Sequence, residues 1–126
     1  MKARNKKIII VDDDLSVQKI LTEKLKCEGF ECFGACDGKE ALKIIRKEKP
    51  DLILLDIVMP RLDGISVLKI IKKNKDTRKI IILVLTNLSS SHTLEESLKA
   101  GVTDYLIKAD YTLDDLVRKI KEKLHC

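Results

Sequence analysis

Three aspartates, a threonine and a lysine stand at the ends of apolar runs, and together they could bind and transfer a phosphoryl group. Asp12 and Asp13 follow Ile8-Ile9-Ile10-Val11, and Asp56 follows Leu52-Ile53-Leu54-Leu55. Thr86 follows the run from Ile80 to Leu85, and Lys108 follows Asp104 to Ile107. Three carboxylates brought together repel, and unaided at least one is driven toward protonation. A hard divalent cation removes that repulsion, and oxygen donors with few protein ligands suit Mg²⁺. Three carboxylates, one Mg²⁺ and one ammonium are neutral together. Such a site welcomes a phosphoryl group, whose oxygens the metal, Lys108 and Thr86 would share. Taken singly, each residue has an ordinary reading: a strand-ending Asp or Thr, a solvated Lys. Their joint placement favours the chemical one.

The elements must bring these ends together. Ile8–Val11, Leu52–Leu55 and Ile80–Leu85 show no alternation, the pattern of strands buried on both faces in a parallel sheet. The first strand is expected over Lys6–Val11, followed by a helix with Val17, Ile20, Leu21 and Leu25 on one face and a stop at Gly29. Asp14 is placed to cap that helix. A weaker strand, Phe30–Ala35, contains Gly34; Asp37-Gly38 marks a turn, and Ala41, Leu42, Ile44 and Ile45 stripe a helix ending before Pro50. After the central strand a helix is expected from about Asp63 to Asn74, with Val67, Leu68 and Ile71 inward. A modest helix carries Leu94 and Leu98 before Ala100-Gly101. The strand Asp104–Ile107 and a helix striped by Leu113, Leu116, Val117, Ile120 and Leu124 close the chain. Five strands alternating with five helices predict an α/β, doubly wound parallel sheet with right-handed crossovers. Its carboxyl edge would gather Asp12, Asp13, Asp56, Thr86 and Lys108, with Cys36-Asp37 at the periphery.

At 126 residues the chain suits one domain. Its apolar runs are far shorter than the roughly 20 residues needed to span a bilayer. No signal-peptide pattern is present, so no membrane association is expected and the cytoplasm is the default. The net charge of +5 is spread over several helices, and the densest cluster, Lys69, Lys72, Lys73, Lys75, Arg78 and Lys79, reads as a solvated helix face and loop. Direct nucleic-acid binding is not expected. Cys27, Cys32, Cys36 and Cys126 fit no paired zinc spacing and read as reduced thiols. His92 and His125 read as surface residues.

The joint pattern of Asp12-Asp13, Asp56 with Met59-Pro60 and Asp63-Gly64, Thr86, Tyr105 and Lys108 resembles the receiver domain of two-component response regulators, the chemotaxis-regulator type. The resemblance covers essentially the whole chain, read as a single receiver domain over 1–126. It implies a flavodoxin-like fold with strand order 2-1-3-4-5. It also implies a signalling switch of a phosphorelay, which catalyses only its own phosphoryl transfer and slow autodephosphorylation. Asp56 would take the phosphoryl group from a sensor histidine kinase or phosphotransfer protein. Asp13, Asp56 and the backbone carbonyl of Val58 would ligate Mg²⁺, with Asp12 acting mainly through water. Lys108 would pair with the acyl phosphate, Thr86 would move toward it, and Tyr105 would swing inward. The face made by the fourth helix, fifth strand and fifth helix would then be remodelled for a downstream protein or output domain.

Three positions depart from the family pattern or bear on its rates. Ala109 follows Lys108 where the family has a cis-linked proline; a cis bond before a non-proline residue costs about 2.5–4 kcal/mol, so a trans bond is expected. Asn87 replaces a smaller residue, and it would narrow access to Asp56 or hydrogen-bond near the phosphate. Val58 and Leu88, both apolar, stand where the family influences the attacking water, which predicts slow autodephosphorylation. Other functions fit less well. An aspartyl-phosphate hydrolase of the D-x-D type lacks its second acid in Asp56-Ile57-Val58, and no G-x-G-x-x-G loop supports a flavin or nucleotide. A receiver-like interaction domain that works without phosphorylation is set against the intact acid set.

Overall fold

The computed structural model describes residues 6–57, 64–87 and 91–125, the first turn of its fourth helix by backbone alone. Strands β1 (Lys7–Val11), β2 (Glu31–Ala35), β3 (Leu52–Leu55), β4 (Ile81–Thr86) and β5 (Asp104–Ile107) alternate with helices α1 (Leu15–Cys27), α2 (Gly38–Glu48), α3 (Gly64–Lys73), α4 (Ser91–Lys99) and α5 (Leu113–Leu124). The strands form one parallel sheet in the order β2-β1-β3-β4-β5, the expected flavodoxin-like topology.

The unbroken apolar runs are explained by two cores. Side chains alternate across a strand, and here both sides are covered. Ile9, Val11, Ile53, Leu55, Ile82 and Val84 pack with Ala41, Leu42 and Ile45 of α2 and Val67, Leu68 and Ile71 of α3. Ile8, Ile10, Leu52, Leu54, Leu83 and Leu85 pack with Leu21 and Leu25 of α1 and with Leu116, Val117, Ile120 and Leu124 of α5. The central strands have no solvent face, so alternation would have cost buried polar groups.

Local capping sets where the helices begin. Asp14 accepts from the Ser16 and Val17 amides at the start of α1, as expected. Asp37 caps α2 by accepting from Glu40 N–H at 2.9 Å, while the Glu40 carboxylate accepts from Cys36 N–H at 2.7 Å. Thr112 and Asp115 form a reciprocal capping box at α5. Asp114 and Asp115 lie in its first turn and Lys121 and Lys123 in its last, matching the helix dipole.

Three apolar positions expected inward point outward. Ile20 is 52% exposed because Val17, Leu21 and Leu25 form the covering row of α1, and a turn of about 100° per residue puts Ile20 at its edge. Leu113 is 41% exposed at the first residue of α5, ahead of the stripe that begins at Leu116. In α4 the fully buried residue is Ser97, and Leu98 is 56% exposed. Leu94 has no described side chain. Among the described residues no peptide is cis, so Lys108–Ala109 is trans, and Lys108–Asp110 form a short 3₁₀ turn. No helix of the described residues is long and apolar enough to cross a membrane.

Cys27, Cys32 and Cys36 are free thiols, and Cys126 lies outside the described residues. Burial against the α1/α5 core pushes the Cys32 thiol up to about 11, whereas Cys27 is exposed at the end of α1. The thiolate is the reactive form. Iodoacetamide at mildly alkaline pH is therefore expected to label Cys27 before Cys32, with rates at least about tenfold apart. Peptide mass spectrometry of a time course checks this, and equal rates would contradict the burial of Cys32.

Candidate functional site

Each carboxylate is delivered by a ladder bond at the carboxyl edge of the sheet. Asp12 N–H donates to the Ala35 carbonyl at 3.0 Å, continuing the β1–β2 ladder one residue past β1. Asp56 N–H donates to the Val11 carbonyl at 2.9 Å, continuing the β3–β1 ladder in the same way. Asp12 and Asp56 are therefore side by side on neighbouring strands, and both are buried, 3% and 8% exposed. Asp13 is exposed beside them. A carboxylate oxygen from each of Asp12, Asp13 and Asp56 lies within 4.8 Å of the other two.

Lys108 supplies the counter-charge from β5. Its ammonium donates to Asp12 Oδ2 at 2.8 Å and to Asp56 Oδ2 at 3.5 Å. Burial alone would lower its pKa, but the hydrogen bond and charge of Asp12, then those of Asp56, outweigh it and the net shift is upward. Its stabilising contribution is thus complete below the ordinary lysine value and is lost as pH rises through the raised one. The two acids and the lysine belong to three different strands, so this ion triad ties the sheet edge together. The expectation that Lys108 reaches the site is met, with Asp12 as its shorter contact.

Thr86 is buried at the end of β4, and the register sets it opposite Ile107, the residue before Lys108. Tyr105 is half-buried against the α2/α3 core. Burial raises its phenol pKa, and the negative charge of Asp56 raises it further, so the ring lies within the field of that carboxylate. Asn87 is exposed on the rim. Asp12, Asp13, Asp14, Asp56, Thr86, Asn87 and Lys108 line one open cleft of about 360 Å³. Val58, Met59, Pro60, Asp63 and Leu88 lie outside the described residues.

Oxygen donors alone, close-set on three carboxylates, fit a hard divalent cation, whereas the soft thiols lie elsewhere. The cleft thus combines a carboxylate at a strand end, two further close-set carboxylates, an ammonium and a hydroxyl. That set can hold and receive a phosphoryl group. Asp14, by contrast, lines the cleft but spends one carboxylate oxygen capping α1.

Gly64, part of the Asp63-Gly64 motif, serves the site through the side chain it lacks. Gly64 opens α3 with its N–H donating to the Ile57 carbonyl at 3.2 Å, directly behind Asp56. A Cβ at this position would collide with the Ile57 backbone and lie 2.9 Å from the Asp56 carbonyl oxygen. The glycine is required by close approach, since no backbone can give way cheaply beside Asp56.

Comparison with known proteins agrees with this geometry. The model of the family described as response regulator receiver domain matches residues 8–121. Sporulation initiation phosphotransferase F of Bacillus subtilis is 35% identical over 120 residues, covering 95% of this chain and 94% of that protein. The probable transcriptional regulator ycf27 of Cyanophora paradoxa is 40% identical over 108 residues, covering 86% of this chain and 44% of that protein. The chain thus spans less than half the length of that relative. A crystal structure of a CheY-like response regulator receiver domain protein from Methanospirillum hungatei superimposes with a TM-score of 0.89 at 33% identity, covering 95% of this chain and 94% of that one.

Gly64→Ala is expected to displace the Asp56–Ile57 backbone and to cost about 1–3 kcal/mol of stability through overpacking. Urea denaturation of the variant against wild type measures it; an unchanged midpoint would mean that α3 can withdraw without strain.

Proposed function

The chain belongs to the response regulator receiver domain family, and on that premise we propose that it is a phosphorylation-dependent switch with Asp56 as its phosphoacceptor. The observation that carries this reading is the convergence of Asp12, Asp13, Asp56 and Lys108 from three strands onto one cleft. The donor would be a phosphohistidine of a sensor histidine kinase or phosphotransfer protein. A carboxylate oxygen of Asp56 attacks phosphorus, the phosphorus–nitrogen bond breaks, and the imidazole leaves with the electron pair and takes up a proton. An acyl phosphate remains on Asp56. Its hydrolysis by water restores the carboxylate and releases inorganic phosphate, so the domain catalyses only its own loading and unloading.

The acid cluster holds Mg²⁺ in this proposal, through Asp13, Asp56 and the Val58 carbonyl, with Asp12 acting mainly through water. When bound, the ion supplies positive charge to the phosphoryl oxygens. Lys108, already within reach of Asp56, would pair its ammonium with the acyl phosphate oxygens. Thr86, buried at the strand end beside the cleft, donates its hydroxyl to the same group. Tyr105 follows inward, and the surface formed by α4, β5 and α5 is remodelled. Asp104 on β5 ties that surface to α5 through Lys119 at 3.0 Å and Lys123 at 3.9 Å, so movement of β5 reaches α5 directly. A downstream protein or output domain would read the change. A cytoplasmic setting accords with the three free thiols.

Acetyl phosphate with Mg²⁺ is expected to add one phosphoryl group, seen by intact-mass spectrometry, and Asp56→Ala is expected to abolish it. Loss of labelling on Mg²⁺ chelation is the companion result; labelling that persists in Asp56→Ala would overturn the assignment. The apolar Val58 and Leu88 cannot orient an attacking water, which makes the acyl phosphate long-lived. Val58→Asn is accordingly expected to shorten its half-life several-fold, and an unchanged decay would remove the basis for that claim.

A further inference from the structure

Gln18 is unused by the functional reading, yet it holds the backbone that carries two of the acids. Lying on α1, it donates its side-chain amide to the Ala35 carbonyl at 2.9 Å and to the Asp12 carbonyl at 3.2 Å, with Cys36 Sγ at 3.8 Å. Both oxygen partners are carbonyls, which only accept, so the NH₂ end must face them and Oε1 must point away. Asp12 N–H also donates to the Ala35 carbonyl. The residue is therefore gripped at both backbone groups where β1 ends.

The two acids on this peptide differ in what else restrains them. Asp12 is fixed through its side chain as well, accepting from Asp14 N–H at 2.9 Å and from Lys108 at 2.8 Å. The Asp13 side chain is exposed and makes no hydrogen bond or ion pair among the described residues. The peptide joining them is planar and stiff, so the direction of the Asp12 carbonyl fixes the direction in which Asp13 leaves. Gln18 is thereby a brace on Asp13 at one remove.

Gly34 is the counterpart of this brace. A Cβ there would fall on Gln18 Oε1 and lie 2.7 Å from Gln18 Cδ. Any larger residue at position 34 would eject the amide from its place against the strand ends. This gives Gly34, an otherwise costly residue in a strand, a specific purpose.

We propose that Gln18 is a positioning residue for Asp13 in divalent-cation binding, acting through the Asp12–Asp13 peptide, and that Gly34 provides the space it needs. The inference rests on the proposed cation-binding role of Asp13. It is separable from a simple strand tie, because a tie would affect stability without depending on the Asp13 carboxylate.

The test is Mn²⁺ titration followed by the electron paramagnetic resonance signal of the free ion, with circular dichroism confirming the fold of each variant. Gln18→Met, similar in size but without donors, is expected to raise the Mn²⁺ Kd about tenfold, the lower range for loss of a group supporting a metal ligand. Gly34→Ala, which keeps the glutamine but displaces it, is expected to do the same and provides the reading should Gln18→Met fail to fold. In an Asp13→Asn background, Gln18→Met is expected to change Kd by less than about twofold. A Kd unchanged in folded Gln18→Met or Gly34→Ala overturns the inference, as does an equal loss with and without the Asp13 carboxylate. A wild-type chain that takes up no Mn²⁺ overturns the cation-binding reading itself, and this inference with it.

Discussion

The constraint from which the rest follows is the mutual repulsion of Asp12, Asp13 and Asp56, brought together at one end of a buried sheet. With carboxylate oxygens within 4.8 Å of one another, like charges repel the more strongly the less water screens them. Only firm anchoring keeps such groups from spreading apart. The anchoring comes from the backbone: Asp12 and Asp56 each extend a ladder by one bond, at 3.0 and 2.9 Å, into strands without a solvent face. Lys108 offsets part of the repulsion with contacts of 2.8 and 3.5 Å. Opposed charges are thus held at short range in a cleft still open to a ligand, and the remaining repulsion is what a divalent cation would relieve.

The two cores serve this constraint. Because odd and even residues of β1, β3 and β4 pack on opposite sides, none of these strands can slip by one residue without exchanging its whole contact set. Slippage would also move Asp12 or Asp56 along the strand and out of register with Lys108. The same packing that stabilises the sheet therefore aligns the acids, and Gly64 lets α3 approach until its first turn abuts the Asp56 carbonyl.

Much of this is legible in the residues alone. Unbroken apolar runs such as Leu52–Leu55 demand two covered faces, and a parallel arrangement then sends every strand end to one edge. Asp12, Asp56, Thr86 and Lys108 are legible because each is the first polar residue after an apolar run, and Asp13 follows Asp12 directly. What could not be read was fine placement. Ile20 and Leu98 fit an inward stripe by spacing, but the covering row of α1 lies one residue over, and among the described side chains of α4 the buried one is Ser97. The Gln18–Gly34 pairing has no signature of type or period, since it depends on two side-chain envelopes meeting across a helix and an edge strand.

The contrast between α4 and its neighbours bears on how a change at the cleft could travel. Helices α2, α3 and α5 each bury a row of apolar side chains. Among the described side chains of α4, only Ser97 is buried, and its hydroxyl has no hydrogen-bond partner among the described residues. A buried hydroxyl left unmet costs free energy. Among the described side chains, α4 thus buries the least apolar area of the helices that follow the strand ends at the cleft. Its strand neighbour β4 delivers Thr86, and β5 delivers Tyr105 and Lys108. In the proposed switch, a shift of those three groups toward a new anionic ligand at Asp56 would meet the buried apolar rows of α2, α3 and α5, whereas the described side chains of α4 set no such row against it.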